Sequence, residues 1–210
     1  MFLQNDSPGA PGRSGPTRGA MEDHWQMHAR RRALQRTIAA LWRESLLPRD
    51  RLHRTQGTYW LALDADRRLE LAGSESDALD DLWQAPPSIR LHQGDGTVVE
   101  LASAGELLHL LASAGVDMEP GALARLVGEL DNSAANDALA MRHRDAWGRR
   151  LRAQPGSHGR GFLATLRHAD RAQALLLLEQ WGAQGHPTHP THKAKLGMGE
   201  DQVTAWSPEF

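Results

Sequence analysis

Residues 88–111 read Ser88-Ile89-Arg90-Leu91-His92-Gln93-Gly94-Asp95-Gly96-Thr97-Val98-Val99-Glu100-Leu101-Ala102-Ser103-Ala104-Gly105-Glu106-Leu107-Leu108-His109-Leu110-Leu111, and the period of their pattern changes once. Apolar residues alternate with polar ones on both sides of Gly94-Asp95-Gly96, where Asp-Gly suits the left-handed backbone of a tight hairpin turn. From Ser103 onward the signs are helical. Ser103 and Glu106 form a capping box ahead of Leu107–Leu111, and Gly115 closes the element. Strands that give way to helices, without alternating with them, predict an α+β fold.

The same pattern extends upstream. Thr58-Tyr59-Trp60-Leu61-Ala62-Leu63, a charged turn at Asp64-Ala65-Asp66, and Arg68-Leu69-Glu70-Leu71 predict a second hairpin. The two hairpins are expected to form one small antiparallel sheet. Before them, Leu34, Ile38, Leu41, Trp42 and Ser45 recur at helical spacing, which predicts a helix from about Trp25 to Leu47 with Arg30–Arg32 and Arg36 largely outside its stripe. Pro48 is its expected stop. Residues 1–20 hold four Gly, three Pro and two Ser with almost no apolar periodicity, and read as a disordered leader. Met21 is an equally good start codon.

Downstream, Pro120 opens a long helix with Leu123, Leu126, Val127, Leu130, Ala134, Ala138 and Met141 on one stripe. Trp147 and Leu151 extend it as far as the break at Gln154-Pro155-Gly156-Ser157. A last helix is predicted over 161–181. The expected organisation is thus a leader at 1–20, an α+β domain at 21–184, and the start of a further region at 185–210.

Composition narrows the function. The 210 residues include no cysteine, which excludes disulfides, thiolate metal sites and cysteine nucleophiles. Clean apolar runs such as Ala174–Leu178 reach five residues, whereas a membrane span needs about 20. With no apolar signal stretch at the N-terminus, cytoplasmic is the default location. Net charge is −2, which argues against a nucleic-acid partner, yet residues 141–195 carry ten Lys/Arg against three Asp/Glu, and six of the eleven histidines. This asymmetry points to an anionic ligand on the C-terminal side; a solvated basic helix face is the competing reading.

One segment concentrates chemistry: Gly185-His186-Pro187-Thr188-His189-Pro190-Thr191-His192-Lys193-Ala194-Lys195-Leu196-Gly197-Met198. Two prolines three apart exclude a regular helix and favour an extended conformation. Three imidazoles, two hydroxyls and two ammonium groups could converge on a polyanion. A metal site through His186, His189 and His192 competes with this, although the lysines would repel a dication. So does a plain Pro/His-rich surface linker. Thr188 and His192 are expected to be solvated, and Asn136, deep in a helix, to bond between helices.

The pattern Gly185-His186-Pro187-x-His189-Pro190-x-x-Lys193-x-Lys195-x-Gly197 closely resembles the signature of IucA/IucC-type siderophore synthetases, which act independently of nonribosomal peptide synthetases. Trp206-Ser207-Pro208-Glu209-Phe210 resembles a further stretch of that family, and Gly128–Asn136 resembles its helical Glu-Leu-x-x-Ser-x-x-Asn segment. The resemblance implies a thumb-like N-terminal region and an ATP- and Mg2+-dependent ligase. Such enzymes adenylate a carboxylate, often citrate or a derivative, and condense it with an amine or alcohol. Carried over by position, His186, His189, Thr191 and Lys193 would line the phosphates, with Lys195 beside them where the family usually has Arg. Mg2+ ligands and the carboxylate site belong to family regions beyond these residues. A homodimer is the assembly the resemblance admits for the full-length enzyme. Two expectations of different class follow: the N-terminal part of a ligase, inactive alone, or a non-catalytic module binding a nucleotide, an anionic metabolite or a partner protein. The apolar Trp206–Phe210 ending favours the first.

Overall fold

Alternation of buried Leu and exposed polar residues builds a five-stranded sheet in the computed structural model, which describes residues 18–71, 88–153, 170–182 and 189–206. The strands β1 (Leu52–Thr55), β2 (Thr58–Ala62), β3 (Arg68–Leu71), β4 (Ile89–His92) and β5 (Val98–Glu100) form an antiparallel meander in chain order. Both predicted hairpins are present, with Leu61 opposite Leu69 and Leu91 opposite Val99. At the first turn the Asp64 carboxylate accepts from the Asp66 and Arg67 N–H groups at 3.0 and 2.8 Å. At the second, Asp95 accepts from Thr97 N–H at 2.8 Å and Gly96 adopts φ +85°.

Strand β1 was not expected. It reaches β2 through Gln56-Gly57, both at positive φ (50° and 78°), the geometry of a two-residue hairpin turn. Its residues are mostly exposed, as an edge strand allows, so it lacks the apolar alternation of its neighbours.

Helix α1 spans Arg18–Arg43. It begins inside the segment that composition assigns to the leader, and it ends before Pro48, where Ser45 turns to φ 57°. Helix α2 (Ala104–Ser113) starts at the predicted cap: Ser103 Oγ accepts from Glu106 N–H at 3.2 Å, and the Glu106 carboxylate reaches back to Ala102 N–H at 2.8 Å. Gly115 closes it at φ +86°. Helix α3 runs from Pro120 to Ala153, taking in Trp147 as predicted, though Leu126 of the expected stripe is exposed. Helix α4 covers Arg171–Gly182. Of the helix expected over 161–181, residues 171–181 are helical and 161–169 lie outside the described residues; Asp170 is non-helical and its carbonyl accepts the first bond of α4, from Ala174 N–H at 2.8 Å. Asp favours that N-cap position. Residues 154–169 lie outside the described residues. Helix α5 is Glu200–Trp206.

The molecule is layered. Leu34 and Ile38 of α1 and Leu107 and Leu111 of α2 pack on Tyr59, Leu61, Leu69, Leu71 and Ile89 of the sheet. On the far side, Leu108 meets Leu130 of α3, and Ala29 meets Ala138 and Met141. Small residues at that second contact let α1 and α3 approach closely. Positions 133–141 of α3 are buried all round apart from Ala135, because α1 covers one side and the segment after Pro190 the other. Among the described residues no helix is long and apolar enough to cross a membrane.

Deleting the fully buried side chain of central-strand Leu69 by Leu69→Ala should cost about 3 kcal/mol in urea unfolding. Val98→Ala, on the exposed edge strand, should change stability by less than about 0.5 kcal/mol. Equal losses would mean the core is not where this packing puts it.

Candidate functional site

Residues 189–199 follow consecutive turns and are not extended. His192 N–H donates to the His189 carbonyl (3.4 Å), Ala194 N–H to Thr191 (2.9 Å) and Met198 N–H to Lys195 (3.1 Å), with Gly197 at φ +77°. Proline removed the helix option, but turns tolerate it, and a docked loop satisfies its polar backbone groups that way.

What docks the loop is one face of α3. Ser133 Oγ accepts from Lys193 N–H at 3.1 Å and faces the Pro190 carbonyl at 3.4 Å. Asn132 accepts from Lys195 N–H at 2.7 Å through Oδ1 and donates to the Met198 carbonyl at 3.1 Å through Nδ2. Asn136 donates to the Lys193 carbonyl at 3.0 Å and to Asn132 Oδ1 at 3.1 Å. Asn136 thus bonds to the loop and not across helices. Three side chains within two turns of helix fix the backbone of Lys193 and Lys195. Val203 of α5, fully buried, closes a cleft of about 190 Å³ with Asn136, Leu139, Ala140 and residues 192–195.

Behind the loop lies a charged cluster. Arg36 Nη1 of α1 donates to Asp137 Oδ2 of α3 at 3.2 Å, with side chains only 8% and 2% exposed. Arg32 Nε is 4.0 Å from the same carboxylate. His192, expected in solvent, is instead turned inward with its side chain 1% exposed and Nε2 3.9 Å from Asp137 Oδ1. Its Nδ1 lies 3.3 Å from Arg36 Nη1, which can only donate, and 3.1 Å from the His189 carbonyl, which can only accept. The tautomer selects between them. Burial and then the Arg36 charge push its pKa from 6.5 down to about 4, so the ring is neutral at pH 7. Burial, followed by Lys195, Arg36 and Arg32, also lowers the Lys193 pKa, while Asp137 opposes this. Arg36 is lowered too, chiefly by burial.

Of the predicted site residues, His189, Thr191, Lys193 and Lys195 share this loop. His189 Nδ1 faces Thr191 Oγ1 at 3.4 Å; Lys193 is half-buried, while His189 and Lys195 are exposed. His186 lies outside the described residues. A metal held by His186, His189 and His192 would require the His192 ring to leave Arg36 and Asp137. The unforeseen members are Arg32, Arg36, Asn132 and Asp137. Arg36 is buried, against the expectation that it lay off the α1 stripe. A signal existed: Asp137 falls at i+7 from Leu130 on the buried stripe of α3, and Arg36 at i+7 from Ala29 on α1. Opposite charges at core positions of two helices require each other.

Residues 174–210 match the model of the IucA / IucC family. The uncharacterized protein y4xN of Sinorhizobium fredii (strain NBRC 101917 / NGR234) is 34% identical over 192 residues, 87% of this chain and 30% of the relative. ATP-bound aerobactin synthetase IucA from a hypervirulent pathotype of Klebsiella pneumoniae shares the fold over 85% of this chain and 29% of its own, with TM-score 0.54 and 17% identity. Aerobactin synthetase IucC from the same source aligns over 89% of this chain and 29% of its own, at TM-score 0.47 and 17% identity. The chain spans about 30% of the length of these relatives.

The depressed pKa of His192 sets a pH dependence. Unfolding returns the ring to about 6.5, so the unfolded chain takes up a proton first, and stability present above pH 6.5 is lost as pH falls towards 4. Urea unfolding at pH 7 and pH 4 should show His192→Gln losing less stability over that interval than the native chain; equal losses would mean the ring is not buried neutral. Asn132→Ala, which removes two loop bonds and the bond from Asn136, should cost about 1–3 kcal/mol at pH 7.

Proposed function

We propose, from the premise that the chain belongs to the IucA/IucC family, that it forms part of an ATP-dependent ligase of siderophore biosynthesis, with residues 185–210 opening the nucleotide-binding region. One observation carries this reading: the loop presents Lys193 and Lys195 from a backbone fixed by Asn132, Ser133 and Asn136, beside Arg32 and Arg36. Asp137 is the carboxylate acting on that group of cations. Burial first, and then the neighbouring cations Lys195, Arg36 and Arg32, lower the Lys193 pKa, and a bound polyanion would favour its charged form. ATP is bound to the Klebsiella enzyme IucA; for this chain the nucleotide is part of the proposal.

The chemistry is acyl-adenylate formation. A carboxylate oxygen, from citrate or a derivative, attacks the α-phosphorus of ATP and pyrophosphate leaves. An amine or alcohol then attacks the acyl carbon and AMP departs. Attack of one anion on another is favoured by fixed cations and donors aimed at the phosphate oxygens. Lys193 and Lys195 supply charge, and His189, Thr191 and His186 supply hydrogen bonds. Lys195 replaces the bidentate Arg usual in the family with a point charge, which weakens its grip on a phosphate. Mg2+, which the family implies, finds no grouping of three His, Asp or Glu among the described residues, and no step runs from them to that ion. The reaction is assigned to the cytoplasm, where ATP is supplied.

Calorimetric titration of MgATP into the chain should give at least tenfold weaker binding for Lys193→Ala, and binding equal to or tighter than native for Lys195→Arg. Native affinity in Lys193→Ala would remove the phosphate role. A non-catalytic anion-binding module makes the same demand on Lys193. Carboxylate-dependent exchange of pyrophosphate into ATP, measured on the protein that carries these residues, separates the two.

A further inference from the structure

Helices α1 and α3 touch through Ala29 and Ala138, and the buried Arg36–Asp137 pair lies on the same faces. Desolvation makes such a pair a poor way of joining two helices, since apolar residues of similar size often do it as well or better. What the pair has in addition is the His192 ring, packed against both partners at 3.3 and 3.9 Å. The next residue is Lys193, whose N–H is fixed by Ser133, and two further on is Lys195, fixed by Asn132.

We propose that Arg36 and Asp137 are positioning residues for this loop: the ion pair seats the His192 ring, and the seated ring holds the backbone from which Lys193 and Lys195 project. The loop's hydrogen bonds to α3 secure its backbone at 190, 193, 195 and 198, and the buried ring secures the stretch between Pro190 and Lys193 from beneath. Charged and titratable groups facing the ring come from each side: Arg36 from α1, Asp137 from α3, Lys193 and the His189 carbonyl from the loop itself. Arg32 and His28 of α1 act on the cluster through Asp137. With Arg36 in place the carboxylate already has its cation, and the imidazole stays neutral. Take the Arg36 charge away and the balance reverses. Asp137 is then buried without its close cation, and His192 becomes the group able to supply one by taking up a proton.

That reversal gives a test that a purely structural role would fail. The inference concerns loop order and only its functional value rests on the phosphate reading, so the readouts are kept apart. His192 titration and the exchange protection of the Lys193 and Lys195 amides are measured by NMR on the full chain. The forms compared are native, Arg36→Met, and Arg36→Met with His192→Ala. Native His192 should remain uncharged down to about pH 5, with protection the same at pH 5.5 and pH 8. In Arg36→Met the ring should titrate above pH 6; both amides should lose about tenfold protection at pH 8 and regain it at pH 5.5. The double variant should stay unprotected at both. Protection lost at both pH values in Arg36→Met, or retained at both, overturns the proposal. Should Arg36→Met fail to fold, His192→Ala alone must still release both amides, and unchanged protection there overturns it equally. Pyrophosphate affinity of the native chain, measured alongside, bears on the phosphate reading alone.

Discussion

The contact between one face of α3 and the backbone of residues 190–198 is the constraint on which the site depends. A loop with His-Pro turns makes few hydrogen bonds of its own, and buried backbone groups without partners are costly. Asn132, Ser133 and Asn136 supply those partners from a helix whose other side is already committed to α1 and α2. The sheet positions α1 and α2, these position α3, and α3 positions the loop. Each layer packs on the one before it.

Electrostatics gives this stack a direction. Burying Asp137 and Arg36 between helices would be wasteful in a purely structural junction, yet here the pair underlies the only loop, among the described residues, that carries two lysines. Lys193 is half-buried, with Asp137 favouring its charge and Lys195, Arg36 and Arg32 opposing it. The neutral His192 beneath fills space without adding to that repulsion.

Much of this was legible in the residues, and the exceptions have physical causes. Hairpins were readable at Asp64–Asp66 and Gly94–Gly96 because turn chemistry and alternation agreed, and α2 because its capping box was complete. Strand β1 was hidden: at an edge, His53-Arg54-Thr55 needs no apolar alternation, so its only mark was Gln56-Gly57. The motif loop was found by its composition, but its conformation was misjudged, since proline forbids a helix without requiring extension. His192 and Arg36 were misplaced for a shared reason. Each is polar by type and buried by a partnership across 101 or 156 positions, so the neighbouring residues do not name the partner, even where the i+7 spacing of Arg36 from Ala29 hints at burial. Asp137 could have been suspected, as a lone carboxylate on the stripe of Leu130, Ala134, Ala138 and Met141.

A crystal structure of the chain with pyrophosphate tests the central claim most directly. The account predicts phosphate oxygens within hydrogen-bonding reach of Lys193 Nζ, with the loop still bonded to Asn132, Ser133 and Asn136. Pyrophosphate bound away from Lys193, or a loop lifted off α3 to receive it, would contradict the account.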